Sequence, residues 1–87
     1  MIWPSNLMVA RKYLGEPVKI VGDSYVYYSP FRKENTPSYF VHNKYGFTDF
    51  GIKGLNPKLR NLNSIEFVAN FYGISNIEAH KKIMRDF

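Results

Sequence analysis

The chain has 87 residues, of which 17% are aromatic and none is cysteine, and its formal net charge is +5. This length fits a single domain spanning residues 1–87, and the lack of cysteine excludes disulfides and thiolate metal ligands. The sequence shows no long apolar run and no charged-then-apolar leader, so it predicts neither a membrane span nor a signal peptide, and the cytoplasm is the expected compartment.

The first elements are a helix and a hairpin. Ser5 is a suitable N-cap for a helix that extends to about Leu14 and ends at Gly15. Residues 18–21 and 24–28 then alternate as strands do, and the Gly-Asp pair between them suits a two-residue hairpin turn.

A second strand pair follows a loop bracketed by two prolines. Pro30 and Pro37 exclude a central strand between them. Residues 39–42 and 47–50 are predicted to pair around the turn at 43–46.

Two helices complete the chain. Asn63 with Glu66, and Ser75 with Glu78, have the spacing of capping boxes. The apolar stripes predicted to face the sheet comprise Ile65, Val68, Phe71 and Tyr72 in the first helix, and Ile77, Ile83 and Met84 in the second. The predicted fold class is α+β, a small antiparallel sheet with about three flanking helices.

Residues 28–41 carry a distinctive pattern, in which Ser29-Pro-Phe-Arg32 is followed by a charged loop and by Thr36-Pro-Ser38 before a strand. This stretch resembles the start of the zinc-binding domain of bacterial and phage (DnaG-type) primases. The family pattern there is Cys-Pro-Phe-His, a short charged loop, Thr-Pro-Ser-Phe and a strand. The resemblance therefore places Ser29 and Arg32 where two zinc ligands would stand.

The resemblance continues to about Met84. The family's second ligand pair lies in a Cys-Phe-Gly-Cys-Gly turn, and here Asp49 and Ile52 occupy the cysteine positions. The helix and glycine of residues 65–75 also match, whereas residues 55–63 form a longer connection than the family has. The resemblance implies a domain that is zinc ribbon-like in outline but metal-free.

No other zinc site is expected. Structural zinc needs four Cys or His ligands, and the chain offers only His42 and His80, far apart in sequence. We therefore predict no metal and no other cofactor.

Basic residues concentrate in the loops of the predicted sheet, among tyrosines. Such a combination favours binding of unpaired nucleic acid, with cations on phosphates and rings stacked on bases. The candidate nucleic-acid-binding residues are Tyr27, Arg32, Lys33, Tyr39, Lys44, Lys53, Lys58 and Arg60, with Tyr45 as a further ring. The alternative is that the tyrosines only pack, with their hydroxyls at the surface, and that the charges form a solvated face.

The sequence offers no sign of catalysis. It has no Gly-rich phosphate loop, no cysteine nucleophile and no Asp-x-Asp pair for magnesium. In the family that it resembles, a separate domain forms the phosphodiester bonds. The resemblance thus implies an accessory module that acts in trans and is not itself an enzyme.

The resulting hypothesis is an accessory protein for DNA replication, encoded in a phage, plasmid or other mobile element. It would bind single-stranded template or nucleotide and a partner DNA polymerase, primase or helicase, and so enable primer synthesis. Trp3 and Tyr13 are the candidate partner-binding residues, because aromatic side chains often anchor interfaces. The alternatives are a protein-interaction adaptor or inhibitor that binds no nucleic acid, and a nuclease or other enzyme whose site the sequence does not reveal.

Overall fold

A computed structural model of the chain describes residues 2–33, 35–51 and 60–87. The elements, in chain order, are α1 (Asn6–Leu14), β1 (Lys19–Val21), β2 (Ser24–Tyr27), β3 (Tyr39–His42), β4 (Gly46–Asp49), α2 (Ser64–Tyr72) and α3 (Asn76–Asp86). The predicted α+β class is confirmed, with an antiparallel sheet in the order β1-β2-β3-β4 and helices packed on it.

Local capping chemistry sets the helix ends. The Ser5 hydroxyl accepts a hydrogen bond from the Met8 amide at 3.2 Å and so begins α1. In α2, the Asn63 side chain and the Glu66 carboxylate each accept from the other residue's backbone amide, which completes the predicted capping box. In α3, the Ser75 hydroxyl accepts from the Glu78 amide.

The β4 strand begins one residue earlier than predicted, at Gly46. This glycine has φ +86°, and a Cβ there would collide with the backbone carbonyl of Leu62. Phe47 and Leu62 exchange two backbone hydrogen bonds of 2.9 Å. Leu62, two residues before α2, is thereby held along the outer edge of β4, and its carbonyl lies so close to Gly46 that only glycine fits at the start of the strand.

The sheet has one face under the helices. Cross-strand rows on this helix face run Tyr25–Val41–Phe47 and Tyr27–Tyr39–Asp49. Phe67 of α2 stacks on Phe47 with ring centroids 4.3 Å apart and planes 6° apart. Tyr39, Val41, Phe47 and Phe67 are fully buried, so the core lies between this face and the helices.

Two of the predicted helix stripes need correction. The α2 helix buries Phe67, Val68 and Ala69, whereas Tyr72 is exposed, because the helix is rotated to place Phe67 against the sheet. The α3 helix buries Ala79 and Ile83, four residues apart on one side, and this leaves Ile77 and Met84 exposed on another.

None of the helices in the described ranges is both long and apolar enough to cross a bilayer.

Candidate nucleic-acid interface

The second face of the sheet carries a pocket beside β3 and β4. Cross-strand rows on this face run Val26–Phe40–Thr48 and Ser24–His42–Gly46. The pocket has a volume of about 340 Å³, and its lining comprises Ser24, Phe40, His42, Tyr45, Gly46, Thr48, Phe50 and Asn61. We call this side of the molecule the pocket face.

Aromatic rings form the walls of the pocket. Phe40 and Phe50 meet edge to face, with centroids 5.3 Å apart. The Tyr45 ring lies 4.8 Å from the His42 ring, tilted by 34°. Tyr45 is 61% exposed and Phe50 is 58% exposed, so both rings offer apolar area that this chain leaves in contact with solvent.

The polar groups of the pocket are held in set orientations. The Nδ1 atom of His42 accepts hydrogen bonds from the backbone amides of Lys44, at 2.9 Å, and Tyr45, at 3.3 Å. A neutral ring with Nδ1 as acceptor carries its proton on Nε2, which is therefore a donor.

Asn61 is fixed in the same way. The Thr48 hydroxyl donates to Oδ1 of Asn61 at 3.1 Å and accepts from the Asn61 backbone amide at 2.9 Å. The side-chain oxygen is thus engaged, and the Nδ2 group remains as a donor.

Two basic residues are sequence neighbours of residues that line the pocket. The Nζ atom of Lys44 lies 5.4 Å from the centre of the Tyr45 ring. Arg60 is exposed and directly precedes Asn61, and Lys33 is exposed in the loop before β3. Lys53 and Lys58, also predicted to bind nucleic acid, lie outside the described residues.

Tyr27 and Tyr39 lie on the helix face, not on the pocket face. Tyr27 is 4% exposed and its hydroxyl donates to the Gly15 carbonyl at 2.9 Å; burial raises the pKa of Tyr27 to about 12. Tyr39 is fully buried against Phe31 and Phe67. An enclosed ring has no face for a base, so both residues are removed from the candidate stacking residues and assigned to the core.

Arg32 belongs to a polar cluster around a buried carboxylate, not to a free phosphate-binding surface. Its Nη2 atom donates to Asp49 Oδ1 at 2.9 Å and to the Ser38 hydroxyl at 2.9 Å. Asp49 is fully buried, and it also accepts from the Ser29 hydroxyl at 2.8 Å and from the Gly51 amide at 3.0 Å. We call Ser29, Arg32 and Asp49 the Arg–Asp cluster.

The Arg–Asp cluster keeps its carboxylate ionised. Burial alone would raise the pKa of Asp49, but the hydrogen bonds from Arg32, Ser29 and the Gly51 amide outweigh it and hold that pKa below its usual value. A Cβ at Gly51 would overlap the Arg32 guanidinium and the Ser38 hydroxyl. The cluster therefore depends on a glycine at position 51.

The three residues of the Arg–Asp cluster are those that the resemblance sets at zinc-ligand positions. The structure brings them into direct contact, joining the loop after β2 to the end of β4. The fourth position, Ile52, lies outside the described residues. Within the described ranges, no group of three or more His, Cys, Asp or Glu side chains is arranged to hold a metal ion.

Trp3 and Tyr13, the candidate partner-binding residues, make contacts within the chain. The Trp3 indole donates to the Ser64 hydroxyl at 3.0 Å and its ring stacks on His80, with 38% of the residue exposed. The Tyr13 hydroxyl donates to Asp86 at 2.8 Å, and both burial and this bond raise the pKa of Tyr13. Both side chains are therefore engaged in contacts within the chain, and these contacts attach the N-terminal segment and α1 to the last two helices.

The sequence pointed only in part to the pocket. Alternation along β3 places Phe40 and His42 opposite Tyr39, as observed, but it does not indicate which of the two faces the helices cover. No sequence pattern around Asn61 predicts that it lines the pocket, because its position depends on hydrogen bonds to Thr48, which is distant in sequence.

Comparison with other proteins gives no relative from which a role for the pocket can be transferred. No protein-family model matches the chain, and no curated protein matches it significantly. We therefore infer a role for the pocket from its geometry and from the sequence resemblance to primase zinc-binding domains.

Proposed function

We propose that this chain is a non-catalytic accessory protein for DNA replication. It binds single-stranded template through the pocket face and acts beside a partner polymerase, primase or helicase in primer synthesis. The observation that carries the proposal is the pair of exposed rings, Tyr45 and Phe50, that line one pocket. The Nζ atom of Lys44 lies 5.4 Å from the centre of the Tyr45 ring, and the exposed Arg60 directly precedes the lining residue Asn61.

This arrangement suits unpaired nucleic acid for a physical reason. Bases stack on exposed aromatic rings, at about 1–3 kcal/mol each, while lysine and arginine bind the phosphates beside them. A duplex hides the base faces, so the exposed rings favour a single strand. The net charge of +5 strengthens attraction to any polyanion and makes binding depend on salt.

The link to primer synthesis comes from the resemblance to primase zinc-binding domains. The Arg–Asp cluster supports it, because the residues at two of the four ligand positions, Ser29 and Arg32, both donate hydrogen bonds to the residue at a third, Asp49, as residues around a lost metal would. A protein that assists replication of a bacterial mobile element would act in the cytoplasm.

The binding step is tested by salt-dependent affinity for an oligothymidylate strand. Replacing Lys44 and Arg60 with alanine is expected to reduce the slope of log K against log salt by roughly 0.7 for each phosphate that the variant no longer neutralises. A matched control replaces Lys81 and Arg85 on α3, which removes the same charge far from the pocket in sequence. Equal slopes for the two double variants would contradict binding at the pocket face.

The replication step is tested by priming. The protein alone is expected to incorporate no nucleotide on a primer-free template, because two-metal nucleotidyl transfer needs closely placed acidic ligands. Added to its cognate polymerase, it is expected to permit or stimulate primer synthesis, and deletion of residues 53–60 to weaken that effect. Priming by this chain alone, or by the partner regardless of it, would refute the proposal.

A specific observation favours a second function, that of a protein-interaction adaptor. Ile77 and Met84 are 71% and 50% exposed, two turns apart on α3. Exposed apolar side chains at this spacing suit a partner's groove. An adaptor would bind the polymerase with full affinity while showing no salt-dependent affinity for single-stranded DNA.

A further inference from the structure

We propose that the pocket holds one unstacked nucleobase and distinguishes guanine from adenine. The inference rests on the proposed function, since it assigns a base to the site that binds the strand. It goes further because it predicts a base preference that phosphate binding and stacking alone do not give.

The dimensions of the pocket suit a small planar group. Its volume of about 340 Å³ lies at the lower end of the range of roughly 300–1,000 Å³ that is typical of small-molecule sites. One wall is the edge-to-face pair of Phe40 and Phe50, and Tyr45 borders the pocket beside His42. A base that leaves its stack would cover ring surface that is now exposed.

The polar groups of the pocket are mainly donors. Both His42 and Asn61 have their acceptor atoms engaged within the chain, and each is left with an N–H group, Nε2 in one and Nδ2 in the other. The Ser24 hydroxyl can donate or accept. A site rich in donors favours a base edge that carries acceptors.

Guanine and adenine differ at this point. Guanine presents two neighbouring acceptors, O6 and N7, whereas adenine presents one acceptor, N7, beside an amino group. The adenine amino group would face the donors of His42 or Asn61 and leave them unpaired. The two purines offer similar surfaces for stacking, so the donors alone separate them.

The test uses a short strand of abasic deoxyribose phosphates with a single base at its centre. The guanine strand is expected to bind at least about fivefold more tightly than the wholly abasic strand. It is also expected to bind at least about fivefold more tightly than the adenine strand. Equal affinities for guanine and adenine would overturn the proposed readout.

Variants test the named residues. Asn61→Asp replaces the donor with an acceptor at a position with φ +49°, which aspartate tolerates as asparagine does, and it is expected to reduce the ratio of guanine to adenine affinity. The ratio is the readout because the added negative charge weakens the binding of both strands alike. An unchanged ratio would contradict the role of Asn61.

Phe50→Ala removes one wall and is expected to bring the affinity for the guanine strand close to that for the abasic strand. Tyr28→Ala is the matched control, since Tyr28 is an exposed aromatic residue, 48% accessible, that does not line the pocket. Equal losses of affinity in the two variants would refute the pocket as the base site.

Oligothymidylate separates this inference from the proposed function. If the proposed function is wrong, the protein shows no salt-dependent affinity for this strand at all. If only the further inference is wrong, oligothymidylate binds with salt-dependent affinity, but the guanine strand and the adenine strand bind equally tightly.

Discussion

Asp49 is a fully buried carboxylate that three donors surround, and one of the donors carries a positive charge. Its pKa is lower in the folded state than in the unfolded chain, where it is about 3.9. The stabilisation from this difference is therefore present above the unfolded value and is lost as pH falls through the folded value.

The behaviour of Asp49→Asn follows from this pKa difference. At neutral pH the variant is expected to be less stable by about 3–5 kcal/mol, because Arg32 loses its buried partner. Below pH of about 4 the wild type loses the contribution that the variant never had, so the difference between the two narrows. Urea unfolding of both proteins at a series of acidic pH values measures this difference in the free energy of unfolding.

A milder variant covers the case in which Asp49→Asn does not fold. Ser29→Ala removes one donor, so the folded pKa of Asp49 moves closer to its unfolded value, and the acid loss of stability becomes smaller and is complete at a higher pH. Parallel acid curves for wild type and Ser29→Ala would contradict the role assigned to this bond.

Two buried tyrosines differ in whether the hydroxyl has a partner. Tyr27→Phe removes the hydrogen bond to Gly15 and is expected to cost about 1 kcal/mol. The Tyr39 hydroxyl is buried without a hydrogen-bond partner among the described residues, so Tyr39→Phe is expected to leave stability unchanged or to raise it. Denaturant midpoints measure both, and a loss in Tyr39→Phe as large as that in Tyr27→Phe would refute the distinction.

At the level of elements, α3 contains two isoleucines in opposite environments. Ile83 is fully buried and Ile77 is 71% exposed. Ile83→Ala is expected to cost about 2–5 kcal/mol, because it leaves a cavity under the helix, whereas Ile77→Ala should change stability by no more than about 0.5 kcal/mol. Thermal unfolding of the two variants gives the comparison, and similar losses would show that α3 does not pack through its Ile83 side.

The elements also show which features of the fold can be predicted locally. Ser5, Asn63 and the turn at residues 22–23 specify helix starts and a hairpin through neighbours in sequence, and these predictions are confirmed. The rotation of α2 could not be predicted, because Ile65, Phe67, Val68 and Phe71 leave the helix several apolar sides. Its stacking on Phe47 selects one of them.

For the whole molecule, the sequence predicts which residue types form the candidate site, aromatic and basic, but not which residues lie there. Both faces of the sheet carry aromatic residues, so alternation alone could not decide between Tyr39 and Phe40 as the exposed ring. Basic residues were expected near the site, and Lys44 lies there, but Arg32 is held by Asp49. That ion pair joins residues far apart in sequence, so no local pattern could reveal it.

The molecule as a whole is expected to fold without metal. Purified protein should contain no stoichiometric zinc by elemental analysis, and a chelator should leave its Tm unchanged, because the Arg–Asp cluster joins the two loops through hydrogen bonds. A bound zinc ion whose removal unfolds the protein would contradict this prediction. A known zinc-dependent domain treated in parallel serves as the control.

The pairing of Phe47 with Leu62 has a consequence for how such a protein can diversify. Two backbone hydrogen bonds join Phe47 to Leu62, and two further hydrogen bonds join Thr48 to Asn61. The chain that connects Thr48 to Asn61 therefore begins and ends at neighbouring positions. Each doubling in the length of a closed loop costs only about 0.6 kcal/mol. A change in the number of residues between these two ends therefore adds little closure cost, so lineages of the protein can differ in length here and still keep the pairing of Phe47 with Leu62.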